Sequence, residues 1–172
     1  MSWILTCVII AFLLYLVYNG VALGLFGVPK SLSMTFYLFQ EKKKWTRIFF
    51  PIMMISMAFL LLPAWLEISA LSSLQFLAFL AAAGIMFVGA APAFKSSDLE
   101  NTVHMTSAII AAIFAILWVV LVSKLWWVIL VWSAIVGLIM LVTKTVKSSY
   151  IYWLETIAFM STFTSILVYY LA

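Results

Sequence analysis

From Trp3 to about Phe26 the chain runs without one charged side chain, and five further apolar stretches of similar length follow it: Ile48 to Leu66, Leu74 to Phe94, Val103 to Val122, Leu125 to Thr143 and Tyr150 to Leu171. A hydrocarbon core about 30 Å thick is crossed by roughly 20 apolar residues in a helix. The runs are continuous rather than alternating, so they lack the every-second-residue pattern of a membrane barrel. In lipid the backbone must satisfy its own hydrogen bonds, and with barrels excluded only helices do so. Composition closes the argument: 68% of the residues are hydrophobic and 8% charged, about a third of the charge of a soluble domain. The expected fold is all-α, a single polytopic helix bundle over residues 1–172 with about six spans.

The fourth and fifth runs are separated only by Ser123 and Lys124. Read as one helix, Met105 to Thr143 would reach roughly 60 Å at 1.5 Å per residue, twice the core thickness. A tight hairpin at Lys124 is therefore expected. The first run lacks an early Lys or Arg and is too long for the apolar core of a cleaved signal, so it reads as a spanning helix.

Orientation follows from the basic residues. With six spans, the first, third and fifth loops hold Lys30, Lys42, Lys43, Lys44, Arg47, Lys95, Lys144 and Lys147, whereas the opposite side holds Lys124 alone. The positive-inside bias makes the odd loops cytoplasmic and puts both termini outside, as expected of a multi-pass protein of a bacterial inner membrane. The net charge of +4 then belongs to topology, and no nucleic-acid partner is expected. Trp3, Trp45, Trp65, Trp126, Trp127 and Trp153 fall near predicted helix ends, where amphipathic rings favour the headgroup zone. Pro29 ends or bends the first helix. Residues 31–45 then read either as an interfacial helix, capped by Ser31 or Ser33, whose Lys42, Lys43 and Lys44 meet anionic headgroups, or as an ordinary basic loop.

Ionisable groups inside a span are costly, which makes each a functional candidate. Glu155 lies about five residues into the sixth run, on a helical stripe with Tyr152, Ala158, Thr162, Ser165 and Tyr169. Either that stripe faces the bundle interior, or Glu155 sits at headgroup depth and pairs with Lys144 or Lys147. His104 opens the fourth run above a face of Ala108, Ala111 or Ala112, and Ala115. Small residues let helices approach closely, and the third run is equally rich in Ala and Gly, so these two helices should pack tightly. Asn19, Lys95, Asp98, Glu100, His104 and Glu155 share one cytoplasmic layer and are the candidate ligand-binding set. The alternative for this layer is structural, with Asp98 capping the fourth helix and His104 marking the headgroup boundary. Glu67, after Pro63, reads as a solvated loop residue. One His and one Cys, Cys7, do not make a zinc site. No phosphate loop or nucleophile elbow is present, so neither metal nor cofactor is expected.

Phe26-Gly27-Val28-Pro29-Lys30-Ser31-Leu32-Ser33 with Tyr37-Leu38, the segment Leu61-Leu62-Pro63-Ala64-Trp65-Leu66-Glu67, and Phe87 to Pro92 leading to Val103-His104 together resemble a family of uncharacterised small polytopic membrane proteins of Bacteroidota-type gut bacteria and their phages. The resemblance covers most of the chain and implies no activity. A looser similarity is to membrane hydrolases of the alkaline ceramidase type, which use Ser, Asp and several His around zinc. Of that set only Asp98 and His104 have counterparts here. The leading expectation is thus non-enzymatic: binding or passage of a small molecule, lipid headgroup or ion through the cytoplasmic half. The alternatives are a structural subunit, docking on a membrane-protein partner or a second copy of itself, and a hydrolase built on Asp98 and His104.

Overall fold

The computed structural model describes residues 3–171, and the described chain is helical throughout, without strands. Seven α-helices follow in order: α1 (Trp3–Phe26), α2 (Thr35–Lys42), α3 (Phe49–Ile68), α4 (Phe76–Ala90), α5 (Asp98–Leu121), α6 (Trp126–Thr143) and α7 (Tyr150–Leu171). A 3-10 turn, Lys44–Ile48, leads directly into α3. Five segments are long and apolar enough to cross a membrane: α1, Lys44–Ile68, α5, α6 and α7. The chain is accordingly a membrane-embedded helical protein.

The apolar third run, expected over 74–94, forms a shorter helix, α4, of 15 residues. Its end follows from Pro92, which removes a backbone donor and pushes Ala91 out of helical geometry (φ −114°, ψ 58°). At its start the chain makes tighter i→i+3 turns, with Leu77 N–H on Leu74 and Ala78 N–H on Gln75. The fourth helix, expected from Val103, starts at Asp98 instead. Ser97 is its N-cap, accepting from Glu100 N–H at 3.2 Å, and Asp98 and Glu100 complement the positive end of the helix dipole. The cap is thus Ser97, not Asp98. The break at Lys124 is present: Lys124 takes a left-handed φ of 59°, and Ser123 Oγ bonds back to the Val119 carbonyl.

The helices close a ring. α1 packs on α3, α3 on α4, α4 on α5, α5 on α7, and α7 returns to α1. α6 stands outside it against α7, and only Val128 and Val136 of its residues are buried. The tightest seams are those of α4. A Cβ added at Gly84 would stand 2.6 Å from the Ala111 nitrogen and 2.8 Å from the Ser107 carbonyl oxygen of α5. At Gly89 it would meet Ile55 and Met54 of α3 at 2.9 and 3.0 Å. The backbone approach at Gly84 is what small residues permit, and the expected close packing of α4 on α5 is found.

At one end of the ring the connections α1–α3, α4–α5 and α6–α7 come together: Tyr152 N–H donates to the Lys30 carbonyl, and Lys95 N–H to the Tyr37 hydroxyl. At the other end Trp118 Nε1 donates to Ser69 Oγ at 2.7 Å, Gln75 Nε2 donates to the Leu66 carbonyl, and Tyr170 donates to Glu67. Glu67 therefore lies in the last turn of α3, not in a loop.

The segment expected as an interfacial helix over 31–45 is helical only over Thr35–Lys42, and no side chain caps it. Leu32, Ser33, Thr35, Phe36 and Phe39 are buried against the ring, so the apolar face of α2 packs on protein while Lys42, Lys43 and Lys44 remain exposed. The tryptophans also divide. Trp3, Trp45, Trp126 and Trp127 are exposed as expected of an aromatic belt, whereas Trp65 is fully buried and Trp153 nearly so, its Nε1 bonded to Thr145.

Candidate functional site

The ring holds a partly open chamber walled by α3, α4, α5 and α7 and floored by Leu32 and Ser33 of the α1–α2 connection. The alanine face of α5 (Ala108, Ala111, Ala112, Ala115) forms one wall, and Phe50, Met54, Leu61 and Trp65 of α3 face it. About 50 Å³ of it is open to the centres of water molecules, which is room for a few waters or a slender ligand. Glu155 and Thr162 of α7 are its polar side chains beside Ser33, and Glu155 is its one ionisable residue.

The floor is built by a strap. Between Val28 and Leu32 the chain runs along the first turns of α7, where backbone donors and acceptors pair in sequence. Ser149 Oγ donates to the Val28 carbonyl at 3.3 Å, Tyr152 N–H to the Lys30 carbonyl at 3.2 Å, and Leu32 N–H to Glu155 Oε2 at 2.6 Å. Pro29 suits this extended path, having no N–H to leave unpaired. The carboxylate thus takes a backbone donor, not Lys144 or Lys147. The stripe on α7 faces inward as expected through Tyr152, Ala158, Thr162 and Ser165, but Tyr169, its last member, is exposed.

A second polar chain supports the strap. Thr35 Oγ1 donates to the Leu32 carbonyl at 2.5 Å, so the Tyr18 hydroxyl donates to Thr35 Oγ1, also at 2.5 Å. Asn19 Nδ2 donates to the Tyr15 carbonyl, and its Oδ1 accepts from the Tyr152 hydroxyl at 3.0 Å. Asn19 therefore holds α1 to α7 one turn before Glu155.

His104 is buried, with both ring nitrogens engaged: Nδ1 on the Ala91 carbonyl and Nε2 on Ser33 Oγ, each at 2.8 Å. A carbonyl only accepts, so in the neutral ring Nδ1 carries the proton and Nε2 accepts from the Ser33 hydroxyl. Phe94 stacks on the imidazole at 4.7 Å between ring centres.

The six residues read from sequence as one layer separate into three groups. Glu155 lines the chamber with Asn19 behind it. His104 pins the floor from beneath. Lys95, Asp98 and Glu100 lie on the outer surface: Lys95 Nζ stands 4.7 Å over the Tyr37 ring, Glu100 bonds Ser96, and Lys95 and Asp98 border a shallow cleft with Asn101. Among the described residues no three His, Cys, Asp or Glu side chains gather as a metal site.

One chamber residue, Trp65, had no signal in the sequence beyond its place near a helix end. Trp65 Nε1 and Thr162 Oγ1 are buried without a hydrogen-bond partner, as are Ser161 Oγ and Ser165 Oγ. Lys44 and Arg47 border an open groove with Trp45, Phe36, Pro51 and Pro92. Their i, i+3 spacing in a 3-10 turn stacks them on one side. Comparison with protein-family models, with curated proteins and with solved structures found no match.

Proposed function

We propose that this protein binds or passes a small molecule, lipid headgroup or ion at the chamber inside its helix ring, with Glu155 as the binding group. One observation carries the reading: the single ionisable residue of the chamber is a carboxylate held in place by the Leu32 N–H, with no basic residue among the chamber walls. A charge set within a span is expensive to keep without function. His104 and Asn19 serve this site as positioning residues, through Ser33 and Tyr152.

Glu155→Gln is the test, because glutamine keeps an acceptor for Leu32 N–H and the same volume. Small molecules extracted from the purified wild type should include a species absent from extracts of Glu155→Gln at equal thermal stability. Identical extracts, with unchanged growth and transport phenotypes, would count decisively against the site. A hydrolase built on Asp98 and His104 has less support, since the first is exposed and both nitrogens of the second are occupied.

The topology belonging to this reading has six spans in a bacterial inner membrane, with α4 as the short one and both termini outside. Support comes from eight of the nine basic residues falling on the odd loops. In a Cys7→Ser background, Lys42→Cys should resist a membrane-impermeant maleimide in intact cells and react after permeabilisation; labelling of intact cells overturns the orientation. On the same side, the stacked Lys44 and Arg47 beside Trp45 suit anionic headgroups. The double substitution Lys44→Gln with Arg47→Gln should lower the anionic lipid retained on purification, and unchanged retention refutes that contact.

A further inference from the structure

Hydroxyls on membrane helices ordinarily bond the carbonyl four residues back. This protein follows the habit at Thr156 (to Tyr152), Ser123 (to Val119) and Thr143 (to Ile139), at 2.7–2.8 Å. Three hydroxyls of α7 do not: Ser161, Thr162 and Ser165 have no partner, and neither does the Nε1 of the fully buried Trp65. Of these four residues Thr162 and Trp65 line the chamber, whose other end holds Glu155. Leaving a buried donor unpaired costs about 1–3 kcal/mol, so a donor at Trp65 and a hydroxyl at Thr162 are groups awaiting an acceptor. Between Glu155 and Thr162 the α7 axis rises about 10 Å, and the rest of the lining, Ser33 apart, is apolar, with Leu61, Ile85 and Val88 beside the alanines, Met54 and two phenylalanines.

Resting on the reading of the chamber as a binding site, we propose that its ligand is a slender organic amine carrying a hydrogen-bond acceptor at its far end, the ammonium group on Glu155 and the acceptor on Trp65 Nε1 and Thr162 Oγ1. An ammonium ion would pair with the carboxyl group of Glu155, the one ionisable group of the chamber, whose Oε2 takes Leu32 N–H and whose Oε1 is left for it. Phe50 and Phe159 also line the chamber, and aromatic rings attract a cation more strongly where water is excluded. The small free volume, with room for only a few water centres, favours an unbranched body. An anion would meet the carboxylate, and a plain hydrocarbon would leave both buried donors unpaired.

Three probes of matched length separate these contributions: 5-amino-1-pentanol, pentylamine and 1-pentanol, titrated calorimetrically against the purified protein in detergent. The amino alcohol should bind at least tenfold tighter than either of the others. Trp65→Phe should abolish its advantage over pentylamine while leaving pentylamine affinity unchanged, and Thr162→Val should reduce that advantage. Glu155→Gln should remove the advantage of both amines over pentanol. Should 1-pentanol match the amino alcohol, with Ala158→Phe blocking both, the amine class is wrong while the chamber remains a binding site. Absence of binding by all three, with Ala158→Phe also leaving growth and extracted small molecules unchanged, overturns the inference and the chamber reading together.

Discussion

Gly84→Val is expected to leave little folded protein. At this position a Cβ would lie 2.6 Å from the Ala111 nitrogen, 2.8 Å from the Ser107 carbonyl oxygen and 2.9 Å from the Ala111 Cα. These are backbone atoms of α5, which cannot turn aside as a side chain can, so the two helices must separate along the seam. Overpacking by a methylene costs typically 1–3 kcal/mol where side chains can move. Valine adds three carbons against main chain, and the cost should exceed that range. Separation would also carry Ala108 and Ala111 away from the chamber they wall. The measurement is the monodisperse fraction in detergent and the midpoint of thermal unfolding, with Gly137→Val on α6 as the control. At Gly137 an added Cβ meets nothing within 4 Å, and the substitution should be nearly neutral. Equal behaviour of the two variants would mean that α4 and α5 do not approach as closely as described.

What the sequence discloses and what it conceals divide along a physical line. Apolar runs report the solvent, so the long apolar helices, the break at Lys124 and the inward stripe of α7 are legible. Hydropathy is blind to where the backbone can continue hydrogen bonding. That is why Pro92 shortens α4 although Ala91, Ala93 and Phe94 are as apolar as their neighbours, and why Ser97 starts α5 five residues before its apolar face begins. It is equally blind to helix rotation. Trp65 and Trp126 both stand near helix ends, yet the first is buried and the second 56% exposed, because the partners of α3 and α6 differ. The candidate layer illustrates the same limit. Residues at one depth need not share one side of a bundle, and Lys95, Asp98 and Glu100 face out while Glu155 faces in. The strap over α7 had no local signal, since its bonds join residues more than 120 apart in sequence.

His104→Ala should destabilise the protein strongly, and the pattern of rescue should identify the histidine as a structural pin rather than a reacting group. Its ring joins three pieces of chain: α5 from which it projects, the Ala91 carbonyl at the end of α4, and Ser33 of the chamber floor. Truncation removes both bonds and leaves the Phe94 stack and Phe50 facing a void. A buried acceptor or hydroxyl left unpaired costs about 1–3 kcal/mol, and lost packing adds to that. His104→Asn places an amide N–H near the position of Nδ1 and can restore the bond to Ala91. His104→Gln extends an amide toward Ser33 instead. Asparagine should therefore recover part of the unfolding midpoint, because the Ala91 carbonyl, at the proline-broken end of α4, has no helical donor left to take. Glutamine should recover ligand retention more than stability, since it steadies the floor beneath Glu155. Full activity in a stable His104→Ala variant would show that neither bond matters to the ring. Loss of activity in His104→Asn and His104→Gln alike, at wild-type stability, would instead give the imidazole a chemical role that its two occupied nitrogens do not suggest.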